Sequence, residues 1–361
     1  MANTSTEGTA AIDASGTEIF YNDSGAVPNS TDYTTLIFVH GSGFCSKSFT
    51  NGFPYAARSN IRLVLINRRH YPGSSRYTDK EIESLAAGEQ GALELIAKDM
   101  AGFIRWFIEN KNIPKASADF SKGGIAVLGW SMGAATTLAP FAWPDAVGKE
   151  TLSIMEPYVR RLILWEPPHL TWGTLDEQPS EGYNPFTDPD NKTPDDIVQN
   201  FGLWVTSYYA HPNLALREPS DKCMAWSYKR GTPGAPPPTV IKLIDPATGA
   251  PMEGYFDAEA LGRTEMPMYV PMQAVLKKQT AKALYAAEKD RVLPKVDIAW
   301  LTGTQTNWYC MWGFFEGERK ALDPSVPTRD NKFVWLEGAN HLWNIDEPAK
   351  FWKGIEEAVF V

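Results

Sequence analysis

Ser131 stands in the run Gly129-Trp130-Ser131-Met132-Gly133, a Gly-x-Ser-x-Gly spacing that suits a serine presented as a nucleophile. A serine at the apex of a sharp strand-to-helix turn sits in a strained backbone conformation, and its neighbours two residues away must be small for the turn to close. The surroundings fit such a turn: the aliphatic run IAVL precedes it and the alanine-rich run AATTLA follows. A helix starting there aims free backbone N–H groups at negative charge developing on a substrate. The chemistry these residues point to is nucleophilic attack on a carbonyl carbon.

A second glycine-containing turn, His40-Gly41-Ser42-Gly43, directly follows the apolar run LIFV. Its glycines let the backbone bend toward the serine. An N–H from Ser42 or Gly43, together with that of Met132, would form an oxyanion hole. A serine also needs a base to take its proton. Of the five histidines, His40 belongs to this turn, His70 to a loop after a strand, and His169 and His211 to a region of different character. His341, in EGANHLWNIDEPAKFW, follows the last strand-like run and precedes the last helix-like one, with Gly338 upstream. It is the expected base.

A scaffold must bring residues 40, 131 and 341 to one edge. Apolar runs at Leu36–Val39, Ile61–Ile66, Ile125–Leu128, Leu162–Leu164, Val296–Leu301 and Phe333–Leu336 read as strands. Leu93–Ile108 repeats apolar residues at helical spacing, Pro348–Val359 reads as a last helix, and Lys47–Ser59 is weakly helical. Strands alternating with helices predict a parallel, doubly wound α/β sheet. Ahead of it, Ala11–Tyr21 reads as a hairpin about Ser15–Gly16. Residues 169–275 differ, being rich in Pro, Gly, Asp and aromatics, with helical stretches only at Pro194–Tyr209 and Tyr269–Glu288. The span Lys229–Met268 is too long for a loop inside a compact domain. Residues 169–275 are therefore expected to form a lid inserted over a core of residues 1–168 and 276–361.

Composition sets the partners. The 361 residues include 34 Lys and Arg against 43 Asp and Glu, a net charge of −9, which disfavours nucleic acid and anionic membrane surfaces as ligands. Gly123–Pro144 carries no charge, but its glycines, Ser131 and Pro140 break it into strand, turn and helix rather than a membrane span. Cys45, Cys223 and Cys310 are too few and too scattered for a disulfide framework or a metal knuckle. No Lys or Arg occurs before Lys47, and Phe360–Val361 is no peroxisomal tail, so an intracellular, cytoplasmic location is expected. The sequons at Asn3, Asn22, Asn29 and Asn191 are then chance matches.

HGSG, GWSMG and GANH, in this order and spacing, resemble the α/β-hydrolase fold superfamily over nearly the whole chain outside the lid. The resemblance implies the fold and the serine–histidine pair, but no substrate, because the fold hosts many reactions. Most of the superfamily carries the triad acid, an Asp, in a Gly-x-x-Asp turn after the strand before the histidine strand. Here that turn is Gly303-Thr304-Gln305-Thr306, so Thr306 takes the place of the Asp. The aromatic run that follows reads as a loop and has no carboxylate before Glu316. One strand earlier, Glu166 directly ends LILW and opens at the same sheet edge as Ser131; it is the expected acid. An acid in this position resembles the fungal zearalenone lactonases and the mycophenolate-pathway acyl-CoA hydrolases, which implies a fungal secondary-metabolic setting.

Trp165, Trp312 and Trp343 stand near the expected cleft and are candidates to line an apolar pocket. The residues together read as a serine esterase for a lactone or bulky aryl ester, a small apolar molecule, with no metal or organic cofactor implied. Thioester or C–C hydrolysis could use the same triad, and a ligand-binding or biosynthetic member of the fold could retain it. An epoxide hydrolase or dehalogenase needs Asp where Ser131 stands. The oligomeric state is left open, a homodimer included.

Overall fold

The apolar runs pair into one eight-stranded sheet in the computed structural model, which describes residues 5–179, 181–249 and 251–360. Residues 1–4, with the Asn3 sequon, and the terminal Val361 lie outside the described residues. The strands are β1 (Thr6–Ala11), β2 (Glu18–Asp23), β3 (Thr34–Val39), β4 (Ile61–Ile66), β5 (Ile125–Trp130), β6 (Val159–Trp165), β7 (Asp297–Gly303) and β8 (Asn331–Leu336). Their order is β1-β2-β4-β3-β5-β6-β7-β8. β1 and β2 form a hairpin about Ser15–Gly16, but its first strand runs over Thr6–Ala11, upstream of the expected Ala11–Tyr21 bounds, and β2 lies antiparallel to β4. Every later pair is parallel. β3, β4, β5 and β6 are buried along their whole length, as their unbroken apolar runs require of parallel strands covered on both faces.

The principal helices are α1 (Gln90–Asn110), α2 (Gly133–Ala142), α3 (Pro194–Val205), α4 (Gln273–Leu284), α5 (Trp308–Leu322) and α6 (Pro348–Phe360). On one face α1 and α4 pack on α2, which lies over β5; on the other, α6 covers β6, β7 and β8. Side-chain alternation sorts the strand residues between these faces. Trp165 and its register partner Leu301 point toward α6, where Trp165 meets Phe351 at a ring separation of 4.3 Å. Trp300 points the other way, against Trp172 and Gly317 of α5.

Several elements depart from expectation. The aromatic run 308–315, read as a loop, is the first half of α5, capped by Asn307 Oδ1 accepting from the Cys310 N–H at 3.2 Å. Burial decides this, since the helix places its aromatics in the core where their β-preference no longer matters. The Pro194–Tyr209 stretch stops being helical at Val205. The Tyr269–Glu288 stretch is helical only over Gln273–Leu284, behind Pro271, which has no N–H to continue the ladder from Met266–Tyr269. Lys47–Ser59 forms short 3₁₀ and α turns, and two helices not expected from the sequence are Asp79–Ala86, which opens on a Thr78–Glu81 capping box, and Lys149–Met155. Among the described residues no helix is long and apolar enough to cross a membrane. The three cysteines are free and buried.

Candidate active site

β5 ends at Trp130 and α2 begins at Gly133, so Ser131 and Met132 form the turn between them. Ser131 has φ +55°, a left-handed conformation that L residues adopt only at a cost in strain. Its N–H donates to Trp165 O on β6 at 2.9 Å, which ties the turn to the next strand. The flanking glycines are required by contact. A Cβ on Gly129 would lie 2.6 Å from Ala134 Cα, and one on Gly133 would lie 2.4 Å from His40 O.

Glu166 is the residue after β6 and also has a positive φ, +48°. Its N–H donates to Leu301 O at 2.9 Å, holding it at the mouth of β7. The carboxylate is fully buried and has three partners. Gly303 N–H donates to Oε1 at 2.7 Å, Thr306 Oγ1 donates to Oε2 at 2.8 Å, and His341 Nδ1 lies 2.5 Å from Oε2. Thr306, at the position where an Asp was expected, thus bonds the glutamate that stands one strand away. His211, outside this contact, supports the same turn: its Nε2 donates to Thr306 O at 2.9 Å while its Nδ1 accepts from Ala225 N–H at 3.0 Å. Burial pushes its pKa down to about 4, so it is a neutral prop. The rival carboxylates lie elsewhere. Glu316 pairs with Arg319, Asp323 accepts from Ser325, and Asp330 offers its main chain to Ile298.

His341 is 1% exposed and lies against Trp130, ring centroids 4.7 Å apart; the Trp130 Nε1–H also donates to His341 O at 3.2 Å. The indole next to Ser131 therefore fixes both the ring and the main chain of the histidine. No hydrogen bond joins Ser131 Oγ to the imidazole among the described residues; in many hydrolases that bond tightens only with substrate in place. Cys310 Sγ lies 3.6 Å from His341 Nδ1. Burial, reinforced by the Glu166 charge, pushes its thiol pKa well up, which keeps it a neutral wall rather than a nucleophile.

Glu166, Cys310 and His341 place ligand-type atoms within 4.8 Å of one another. They suit a metal poorly. Two donors each about 2.0–2.2 Å from a tetrahedral ion sit more than 3 Å apart, whereas the carboxylate and imidazole approach to 2.5 Å, a hydrogen-bond distance.

The HGSG turn lies on the other side of Ser131. His40 is buried, and burial with the nearby Arg68 charge holds its pKa well below the usual value. As a neutral ring it donates from Nδ1 to Gly41 O at 2.9 Å and accepts at Nε2 from Arg68 N–H at 3.0 Å. Of the three N–H groups expected to hold an oxyanion, that of Gly43 is already spent, donating to Tyr71 Oη at 2.9 Å. Gly43 is therefore removed from the set. The Ser42 and Met132 N–H groups donate to no protein acceptor among the described residues.

The tryptophan expectations fare differently. Trp165 is core, packed on Phe38, Phe49 and Phe351 beneath the sheet, because residue 165 alternates to the α6 face. Trp312 is also core, stacked on His169 at 4.4 Å. Trp343 sits in the short helix Trp343–Asp346, which packs on the 46–52 and 239–243 segments. A cavity of about 430 Å³ opens between α3 and residues 240–258, lined by Phe44, Val198, Leu203, Leu243, Ile244 and Phe256. None of Ser131, Glu166 and His341 lines it; its wall residue Phe44 has its ring 5.4 Å from that of Trp130, the residue before Ser131. None of these lining residues was singled out in the sequence.

A family profile described as "Alpha/beta hydrolase family" matches residues 36–353. No curated protein matches the chain. Among solved structures it is similar to a thermophilic esterase from Thermogutta terrifontis, with 13% identity and a TM-score of 0.53 over 99% of this chain and 100% of that one. It is also similar to epoxide hydrolase VrEH1 from Vigna radiata, with 13% identity and a TM-score of 0.51 over 99% of this chain and 98% of that one. A third similar structure is epoxide hydrolase A from Mycobacterium thermoresistibile, with 14% identity and a TM-score of 0.50 over 98% of each chain. At such identity these likenesses bear on the fold alone, which is an α/β-hydrolase sheet.

Proposed function

The chain belongs to the alpha/beta hydrolase family, and on that premise we propose that it cleaves carboxylic esters through an acyl-enzyme on Ser131. The observation that carries the proposal is the strained serine between β5 and α2 beside a Glu166–His341 pair 2.5 Å apart. Glu166 holds Nδ1, which leaves His341 Nε2 as the general base toward Ser131. Ser131 Oγ attacks the carbonyl carbon as its proton passes to Nε2. The Met132 and Ser42 N–H groups stabilise the oxyanion. The imidazolium then protonates the leaving alcohol, and water, deprotonated by the same nitrogen, releases the acid from Ser131.

A serine nucleophile also separates this reading from epoxide opening. Attack of Ser131 on an epoxide would leave an ether, which water cannot hydrolyse under these conditions, whereas an Asp leaves a cleavable ester. A panel of esters, lactones and thioesters scored with wild type and Ser131→Ala tests the proposal: serine-dependent turnover of oxygen esters or lactones supports it. Turnover confined to thioesters, or none beside tight unreacted binding, would overturn it.

We assign residues 169–275 to a lid and the cavity beside Phe44 to the bulky part of the substrate. Its mostly apolar lining, which also includes Asp195, Asp196 and Gln199, supports a lactone or bulky aryl ester. Each added methylene buried there contributes about 0.8 kcal/mol, roughly fourfold. In a kinetic series, kcat/KM should therefore climb from acetyl esters of short alcohols to bulky apolar esters by up to that factor per carbon. A series in which the smallest acetates turn over best would contradict the assignment.

A further inference from the structure

Glu265 is 1% exposed and ends a single π-helical turn, Leu261–Glu265, in the proposed lid. Such turns are rare overall and frequent at functional sites. Here the carboxylate reaches the back of the HGSG turn. Ser42 Oγ donates to its Oε2 at 2.9 Å, Tyr71 Oη donates to its Oε1 at 3.1 Å, and Arg68 Nη2 lies 2.6 Å from Oε1. The two partners carry the contact onward: Arg68 Nη2 donates to Gly41 O at 3.0 Å, and Tyr71 Oη accepts from Gly43 N–H at 2.9 Å. Three consecutive residues of the turn are thus held, at the Gly41 carbonyl, the Ser42 hydroxyl and the Gly43 N–H. Among the described residues the Ser42 N–H, between these held groups, donates to no protein acceptor.

A buried ion pair is a poor way to gain stability, since desolvating both charges offsets most of their attraction. What this one supplies is direction. We propose that Glu265 is a positioning residue that aims the Ser42 N–H into the oxyanion hole, so that the hole is complete only when the lid segment is docked. The proposal rests on the serine-hydrolase reading above. The docking does not depend on Glu265 alone. Cys45 N–H donates to Tyr255 O at 3.0 Å, Asp257 N–H donates to Gly43 O at 2.7 Å, and Phe256 packs so close to Gly43 that a Cβ there would meet its ring at 2.4 Å. Removing the carboxylate therefore leaves the lid seated while releasing the turn.

The test compares Glu265→Gln with Ser42→Ala, which deletes the hydroxyl bond but keeps both the N–H and the Arg68–Glu265 pair. Active sites are counted by titration with an organophosphorus probe, and kcat is expressed per titrated serine. Losing one oxyanion donor outright costs about 10²–10³ in kcat, so a mis-aimed donor should cost roughly tenfold or more in both variants. Because the interaction belongs to the transition state, KM should stay within about twofold. A lowered thermal midpoint with kcat per site unchanged would show a merely structural role and overturn the proposal. If Glu265→Gln does not fold, Ser42→Ala decides alone: full kcat per site overturns it. A wild type in which no serine titrates would instead overturn the hydrolase reading, and this inference with it.

Discussion

Ser131→Ala should lower turnover by roughly 10⁶, to the level that binding and the oxyanion hole sustain alone. The expectation follows from the way the triad works as a unit. Without Oγ there is no atom to attack the carbonyl and no proton for His341 Nε2 to accept, so the imidazolium that Glu166 would balance never forms. The substitution removes one oxygen that makes no hydrogen bond in the described structure and leaves the Ser131 N–H to Trp165 O bond intact. The turn should therefore close as before, with alanine bearing the same positive φ, and circular dichroism and the thermal midpoint should change little. Steady-state kinetics on the best ester of the panel checks the loss. A variant that keeps more than a few per cent of wild-type turnover would place the nucleophile elsewhere.

Glu166→Gln should cost on the order of 10⁴, as when the acid of other triads becomes an amide. The geometry gives the reason. Gly303 N–H must still find an acceptor at the position of Oε1, which directs the glutamine carbonyl there and its NH₂ toward Thr306 and His341. The amide then donates to Nδ1, so the neutral imidazole carries its proton on Nε2 and cannot accept the one from Ser131. The side chain also can no longer balance an imidazolium. Glu316→Gln, which disturbs only the pair with Arg319, should stay within about twofold of wild type and serves as the control. Near-normal activity in Glu166→Gln, with loss in Glu316→Gln or Asp330→Asn, would move the acid while leaving the serine and histidine in place.

Much of the sheet was legible because parallel strands buried on both faces, β3 to β6, write themselves as continuous apolar runs, and these runs, with those of β7 and the part-buried edge strand β8, appear where they were expected. Ser131, Glu166 and His341 were legible for the same reason: each directly follows such a run or the turn after it. The side of the sheet to which a residue points is harder to read. Trp165 neighbours Glu166 in sequence, yet strand alternation turns it into the core. The helix at Trp308–Leu322 was hidden by aromatic, glycine-containing composition; its signal was Asn307, a capping residue. The Gly43 N–H and Glu265 could not be read at all. The first is taken by Tyr71 and the second bonds Ser42 across 223 residues of chain, contacts set by tertiary packing and by no local pattern.

The claim that most needs testing is that Ser131 is the nucleophile. Incubating the protein with a fluorophosphonate and mapping the adduct by peptide mass spectrometry addresses it before any natural substrate is known. The account predicts one adduct per chain, on the peptide holding Ser131, absent from Ser131→Ala and formed more slowly in Glu166→Gln. An adduct on another residue, or none in a protein that still hydrolyses esters, would contradict it.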